Sequence, residues 1–209
     1  MTKPATRRAS AGVFPEPEDK RARILAAALE LFEKAGFDGV AVPEIARAAG
    51  VATGTIYRYF EDKEALVNAL YRHWKGVYNA AVLAPVPQVL TPKALFLLYW
   101  QRMTAFSRAH PRAARFMDLH HHGAYLDTES RATAGEYLHV AQDFVAEAGA
   151  NGAIRPLEPA VVVALMWGAA AGLAKFAKDG ALDFDTRTAE QTGEALWRAI
   201  AVDPNKRGS

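Results

Sequence analysis

The chain contains no cysteine, which excludes disulfides, thiolate nucleophiles and cysteine-ligated metal centres together and fits a reducing cytoplasm. Excess charge of one sign is also lacking. The formal charge is +2, and acids nearly balance bases in the first sixty residues, so charge alone makes no case for nucleic acid. The longest uncharged run, residues 159–174, is bounded by Glu158 and Lys175 and falls short of the about twenty residues of a bilayer span; a buried helix is expected there. The amino terminus has no apolar run of the kind that opens a secretion signal. A cytoplasmic protein with no membrane partner is expected.

What is abundant is helical. Hydrophobic residues make up 51% of the chain and charged residues 23%. Ala, Leu and Glu recur at helical periods, and alternating β-branched runs are few, so the fold class is all-α. The length accommodates a small module and a body with a sizeable core. Residues 1–17 hold Lys3, Arg7 and Arg8 among small residues and prolines without a period, and read as a disordered basic arm that either stays solvated or follows a DNA backbone. A first helix then starts at Glu18 or Asp19, with Ile24, Ala28, Leu31, Phe32 and Ala35 inward and Gly36 as its stop.

Residues 42–63, VPEIARAAGVATGTIYRYFEDK, organise the rest. Ile45, Ala46 and Ala49 share one helical face, and Gly50 follows where the chain must turn with positive φ. Val51 then fills the angle between two helices, Thr53 offers a capping hydroxyl, and Ile56 with Phe60 form a buried i, i+4 pair. Thr55, Arg58 and Tyr59 are left facing away, with Tyr57 at the border. That combination suits a short helix seated in a DNA groove. Asp62 can cap the next helix, which continues through Leu66, Leu70, Trp74 and Val77 to about Leu83 before APVP breaks it.

The segment AGVATGTIYRYFEDKEAL closely resembles the signature of the TetR family of bacterial transcriptional repressors. The resemblance implies an N-terminal three-helix, helix-turn-helix DNA-binding domain at residues 18–64 and a C-terminal helical ligand-binding and dimerisation domain at residues 65–209, about nine helices in all. It implies a homodimer on a palindromic double-stranded operator, released by a small molecule. Carried onto this sequence, the DNA contacts are Thr53, Gly54, Thr55, Tyr57, Tyr59 and Lys63, the last at a phosphate, with Arg47 and Arg58 as further phosphate or base contacts. The chain departs from the family at Ala41, Val42 and Pro43, where a hydroxyl cap is usual and none stands.

In the body, Thr91 caps a helix to about Ala109, Pro111 starts another, and further helices are expected near residues 129–147, 158–178 and 186–201. The apolar helix over 159–175 offers Gly168, Ala169, Ala171 and Gly172 for close approach and the last helix offers Trp197 as an anchor, which points to dimerisation through the last two helices. Trp100, Met103, Phe106, Phe116, Met117, Tyr125, Tyr137, Met166 and Trp167 exceed what a slim core needs, and with His120 and His121 they outline a pocket for an apolar or aromatic effector, weakly acidic ones included. Adjacent helical residues point about 100° apart, so His120, His121 and His122 do not converge on one metal ion. No nucleophile elbow or phosphate-binding glycine loop is present, and Glu190 with Glu194 read as a solvated i, i+4 pair. No catalytic residue, metal or cofactor is expected. The alternatives are a helical dimer with a degenerate DNA module and a His-rich metal-binding protein.

Overall fold

The computed structural model describes residues 19–86, 89–119 and 125–203. Within them lie nine α-helices, with one isolated antiparallel bridge between Ile154 and Ala201 as the only extended pairing among the described residues. The chain divides into two units between Leu66 and Val67. The expected basic arm and the three consecutive histidines lie outside the described residues.

The first unit holds α1 (Lys20–Ala35), α2 (Val42–Ala49), α3 (Thr53–Tyr59) and the first turn of α4 (Lys63–Val82). Asp19 starts α1 by accepting the Arg21 N–H at 2.8 Å, which satisfies one of the donors a helix start leaves open. Ile24, Leu25, Ala28, Leu29 and Phe32 are buried. The face is therefore rotated from the expected stripe: Leu31 is half-buried and Ala35 exposed, because Ala22, Leu25 and Leu29 take the inward side instead. Phe37 stacks on Phe32 with centroids 6.1 Å apart.

Without a hydroxyl at Ala41, α2 begins with half a capping box, Glu44 Oε2 accepting the Ala41 N–H at 2.9 Å. It ends at Gly50, whose φ of 65° and ψ of 40° are left-handed. The N–H of Gly50 bonds the Arg47 carbonyl and that of Val51 bonds the Ala46 carbonyl, the double closure that lets a helix stop within one residue. The expected Thr53 cap does not form. Ala52 occupies the N-cap and Thr53 is already helical, which leaves the Thr53 side chain on the helix surface. Asp62 caps α4 through the Ala65 N–H at 2.7 Å.

The second unit contains the rest of α4, then α5 (Pro92–Ala109), α6 (Pro111–Leu119), α7 (Thr128–Ala150), α8 (Pro159–Lys178) and α9 (Thr186–Ile200). Thr91, Asp127 and Asp185 cap α5, α7 and α9. Phe96, Phe144, Ile154, Val162 and Ile200 form a buried cluster, with Leu196 and Trp197 against it. Backbone bonds from Arg155 to Ile200 and from Val202 to Ala153 tie the end of α9 to the α7–α8 connection.

The structure corrects one expectation outright. The apolar segment from Pro159 is not a buried helix within this chain: only Val162 and Ala170 of α8 are buried, while Val161, Leu165 and Phe176 are exposed. The helix also runs on to Lys178, so its length and composition alone would suffice for a membrane span. Hydropathy registers how apolar a helix is and not how many sides its own chain covers; here Val162 and Ala170 pack inward and the opposite face stays open.

Candidate DNA-reading surface and effector cavity

In the first unit, Ile56 and Phe60 are buried, and this fixes which way α3 presents its other side. Tyr57 is 53% exposed and Tyr59 45%, with Arg58 and Gly54 also exposed and Thr53 and Thr55 half-buried. Two large aromatic side chains held in water are costly unless something docks on them. A methyl group at Gly54 would meet nothing within 4 Å, so the bare backbone there is not needed by the protomer's own packing. Arg47 is exposed on α2. Lys63, the first residue of α4, lays its ammonium 4.2 Å from the centre of the Phe37 ring, and Arg21 lies over Phe60 at 5.5 Å. Both aromatic contacts restrict long cationic side chains that would otherwise be free to wander.

In the second unit a cavity of about 70 Å³ is lined by Tyr78, Val82, Phe96, Met103, Tyr137, Phe144, Val162, Met166 and Trp167 among others. A second, of about 10 Å³, adjoins Tyr78, Met103, Phe106, Met117, Asp118 and Trp167. Both are small against the roughly 300 Å³ at the lower end of drug-sized sites. The residues are gathered around a small space. Of the sequence-expected ligand residues, Met103, Phe106, Met117, Tyr137, Met166 and Trp167 line these two cavities. Trp100, Phe116 and Tyr125 line neither: Trp100 is fully buried and donates its indole N–H to the Ala189 carbonyl at 2.6 Å, Phe116 is packed at zero exposure, and Tyr125 presents its carbonyl to Asn68. His120 and His121 lie outside the described residues.

Behind the larger cavity sits a charge. Lys75 on α4 is 2% exposed, and its ammonium is 4.4 Å from the Tyr137 ring centre, 4.7 Å from Tyr78 and 5.0 Å from Trp167. Burial pulls its pKa down to about 8, against the attraction of Asp118 and Glu136. Asp118 is pushed up to about 6 by burial, opposed by Lys75 and by a hydrogen bond with the Trp167 side chain. Burial likewise raises the Tyr78 hydroxyl, with Asp118 adding to the shift, and raises Tyr71 to about 12. Both tyrosines are neutral donors at any physiological pH.

Sequence reasoning missed Lys75 and its setting. Asn68, Arg72, Lys75 and Asn79 follow at i, i+4, i+7 and i+11, a polar line along α4, and it is turned inward: Asn68, Lys75 and Asn79 are buried. Asn68 donates to the Tyr125 carbonyl and accepts the Asp127 N–H. Arg72 bonds Asp127 at 2.6 Å and Ser130 at 3.0 Å, and Asn79 bonds Glu136 at 2.6 Å. The available signal was the spacing itself, four polar residues on one stripe of a helix otherwise rich in large apolar side chains.

Two family models match the chain: residues 24–70 match bacterial regulatory proteins of the tetR family, and residues 79–202 match the tetracyclin repressor-like C-terminal domain. The HTH-type transcriptional regulator RutR of Escherichia coli K12 is 28% identical over 188 residues, covering 87% of this chain and 88% of that protein. The HTH-type transcriptional repressor KstR of Rhodococcus jostii is 35% identical over 106 residues, 48% of this chain and 50% of its own. Among solved structures, a TetR family protein from Vibrio parahaemolyticus shares 28% identity with a TM-score of 0.68, covering 88% of this chain and 100% of that one. One from Shewanella sp. PV-4 matches in fold at 0.74, with 24% identity and 89% and 100% coverage.

Proposed function

Because the chain belongs to the TetR family of transcriptional regulators, we propose that it is a repressor that binds a palindromic operator as a homodimer and lets go when a small apolar or aromatic effector fills the second unit. The observation that carries this reading is the exposed set Gly54, Tyr57, Arg58 and Tyr59, presented by a short helix that is anchored by Ile56 and Phe60, with Arg47 exposed on α2. Tyrosine hydroxyls, Thr53 and the Lys63 ammonium supply phosphate contacts; Thr55 and Arg58 supply base contacts. The protein acts in the cytoplasm and carries out no catalysis.

Dimerisation is assigned to α8 and α9. Val161, Leu165, Gly168, Gly172 and Phe176 follow at helical spacing along the uncovered face of α8, and a side chain built at Gly168 or Gly172 would meet nothing within 4 Å. Such a face is costly in water and suits close approach of a second copy. Ala169 borders it. Trp197 contributes from the protomer side, its ring 5.7 Å from Phe96. Two recognition helices related by a two-fold axis read half-sites about one helical turn apart, roughly 34 to 36 Å, or a multiple of it.

The effector works by binding one arrangement of the dimer better than another. α4 carries Lys63 at its first residue and Tyr78 and Val82, which line the cavity, further along. A hundredfold loss of operator affinity needs about 2.7 kcal/mol of coupling. The test is selection of bound sequences from a random duplex pool by the purified protein at moderate salt. A palindromic consensus is expected; recovery of no sequence preference overturns the repressor reading.

A further inference from the structure

Lys75 is a buried ammonium with three donors. Its close neighbours are the ring faces of Tyr78, Tyr137 and Trp167. No described residue accepts a hydrogen bond from it. Asp118 and Glu136 favour the charged form of Lys75 through space, and Glu136 accepts the Asn79 amide at 2.6 Å. Aromatic faces attract a cation but accept no ordinary hydrogen bond, so the Lys75 N–H groups stay open to an acceptor that reaches them.

Tyr78, Tyr137 and Trp167 are at once the cover of Lys75 and part of the wall of the larger cavity. That cavity, at about 70 Å³, is small for a drug-sized ligand, which is received by moving its wall. A ligand that parts these rings uncovers the ammonium.

Resting on the reading of this cavity as the effector site, we propose that the effector is an uncharged apolar molecule bearing a carbonyl oxygen, and that this oxygen accepts a hydrogen bond from Lys75. Charge decides against the other classes. A cationic ligand meets Lys75 itself. A carboxylate gains one attraction, to Lys75, and faces two like charges, Asp118 and Glu136, in a weakly screened interior. A neutral carbonyl takes the unmet donor and adds no charge, while its hydrocarbon body is received by Val82, Phe96, Phe144 and Val162.

The experiment uses four probes of one shape on the full chain without DNA: 1-tetralone, tetralin, tetralin-1-carboxylate and 1-aminotetralin, measured by calorimetry. The ketone is expected to bind about tenfold tighter than the hydrocarbon and the charged pair, with that preference lost in Lys75→Met and largely kept in Lys75→Arg. The infrared carbonyl stretch of bound ketone is expected to move to lower frequency in the native protein. This last readout stands even where Lys75→Met does not fold. Equal affinity of ketone and hydrocarbon, a tighter carboxylate, an unshifted stretch, or a preference that survives Lys75→Met each overturns the proposal while leaving the cavity reading in place. Binding of none of the four removes the cavity as an effector site and the proposal with it.

Discussion

The indole of Trp100 lies so close over Gly193 that a methyl group on that glycine would fall 2.4 Å from its Cδ1. The ring cannot retreat, because its N–H is bonded to the Ala189 carbonyl at 2.6 Å and the side chain is fully buried. Gly193→Ala is therefore expected to destabilise the second unit by about 1–3 kcal/mol, read by urea unfolding. Gly172→Ala, where nothing lies within 4 Å, is the comparison and is expected to leave the folded protomer intact.

The Lys75 and Asp118 pair gives stability a pH signature. Asp118 is raised from 3.8 to about 6, so between these values the folded chain holds a proton that the unfolded chain has released, and stability falls as pH rises through that window. Lys75 is lowered from 10.5 to about 8, so the unfolded chain holds the extra proton between 8 and 10.5 and stability rises with pH there. Lys75→Met combined with Asp118→Asn is expected to remove both slopes relative to the native protein. It is also expected to add about 1–3 kcal/mol at pH 7, since apolar or neutral groups replace buried charges. Urea titrations across pH check both; slopes unchanged in the double variant would count against this account.

At the DNA surface, Lys63→Ala is expected to weaken binding almost uniformly across sequences and to lower the salt slope by about 1. Thr55→Ala is expected to relax preference at one base position. Affinities on the selected operator and on scrambled duplexes, measured over a range of salt, separate the two.

For the α8 face, Gly168→Arg and Leu165→Glu are each expected to give a folded monomer by sedimentation, with unchanged helix content and no operator binding. Gly168 has open space beside it, so loss of fold cannot account for such a result. A native dimer that survives both substitutions places the interface elsewhere.

The helices and most of their ends were legible in the sequence because caps and breakers are local: Asp62, Thr91, Pro111 and Gly50 act on their immediate neighbours. The outward set on α3 was legible for the same reason, since Ile56 and Phe60 leave only one side free. The aromatic cavity was half legible. Composition marks large side chains in excess, yet it does not tell Trp100, which is locked under α9, from Trp167, which forms a wall. That distinction depends on Gly193, ninety-odd residues away, and on which helices become neighbours. The α3 cap was misread because Thr53 and Ala52 differ by a single residue of helix phase. The exposure of α8 was misread because hydropathy carries no information about which sides of a helix its own chain covers.

The polar line on α4 determines the character of any movement that helix makes. A helix seated on apolar side chains alone can drift by fractions of an ångström, since dispersion contacts fade gradually and in all directions. Asn68, Arg72 and Asn79 hold α4 to α7 by directional bonds, and these fail over a small displacement or angle. A shift of this helix therefore breaks these bonds before apolar contacts would register the same displacement. At these bonds a movement of α4 is all-or-none, not graded.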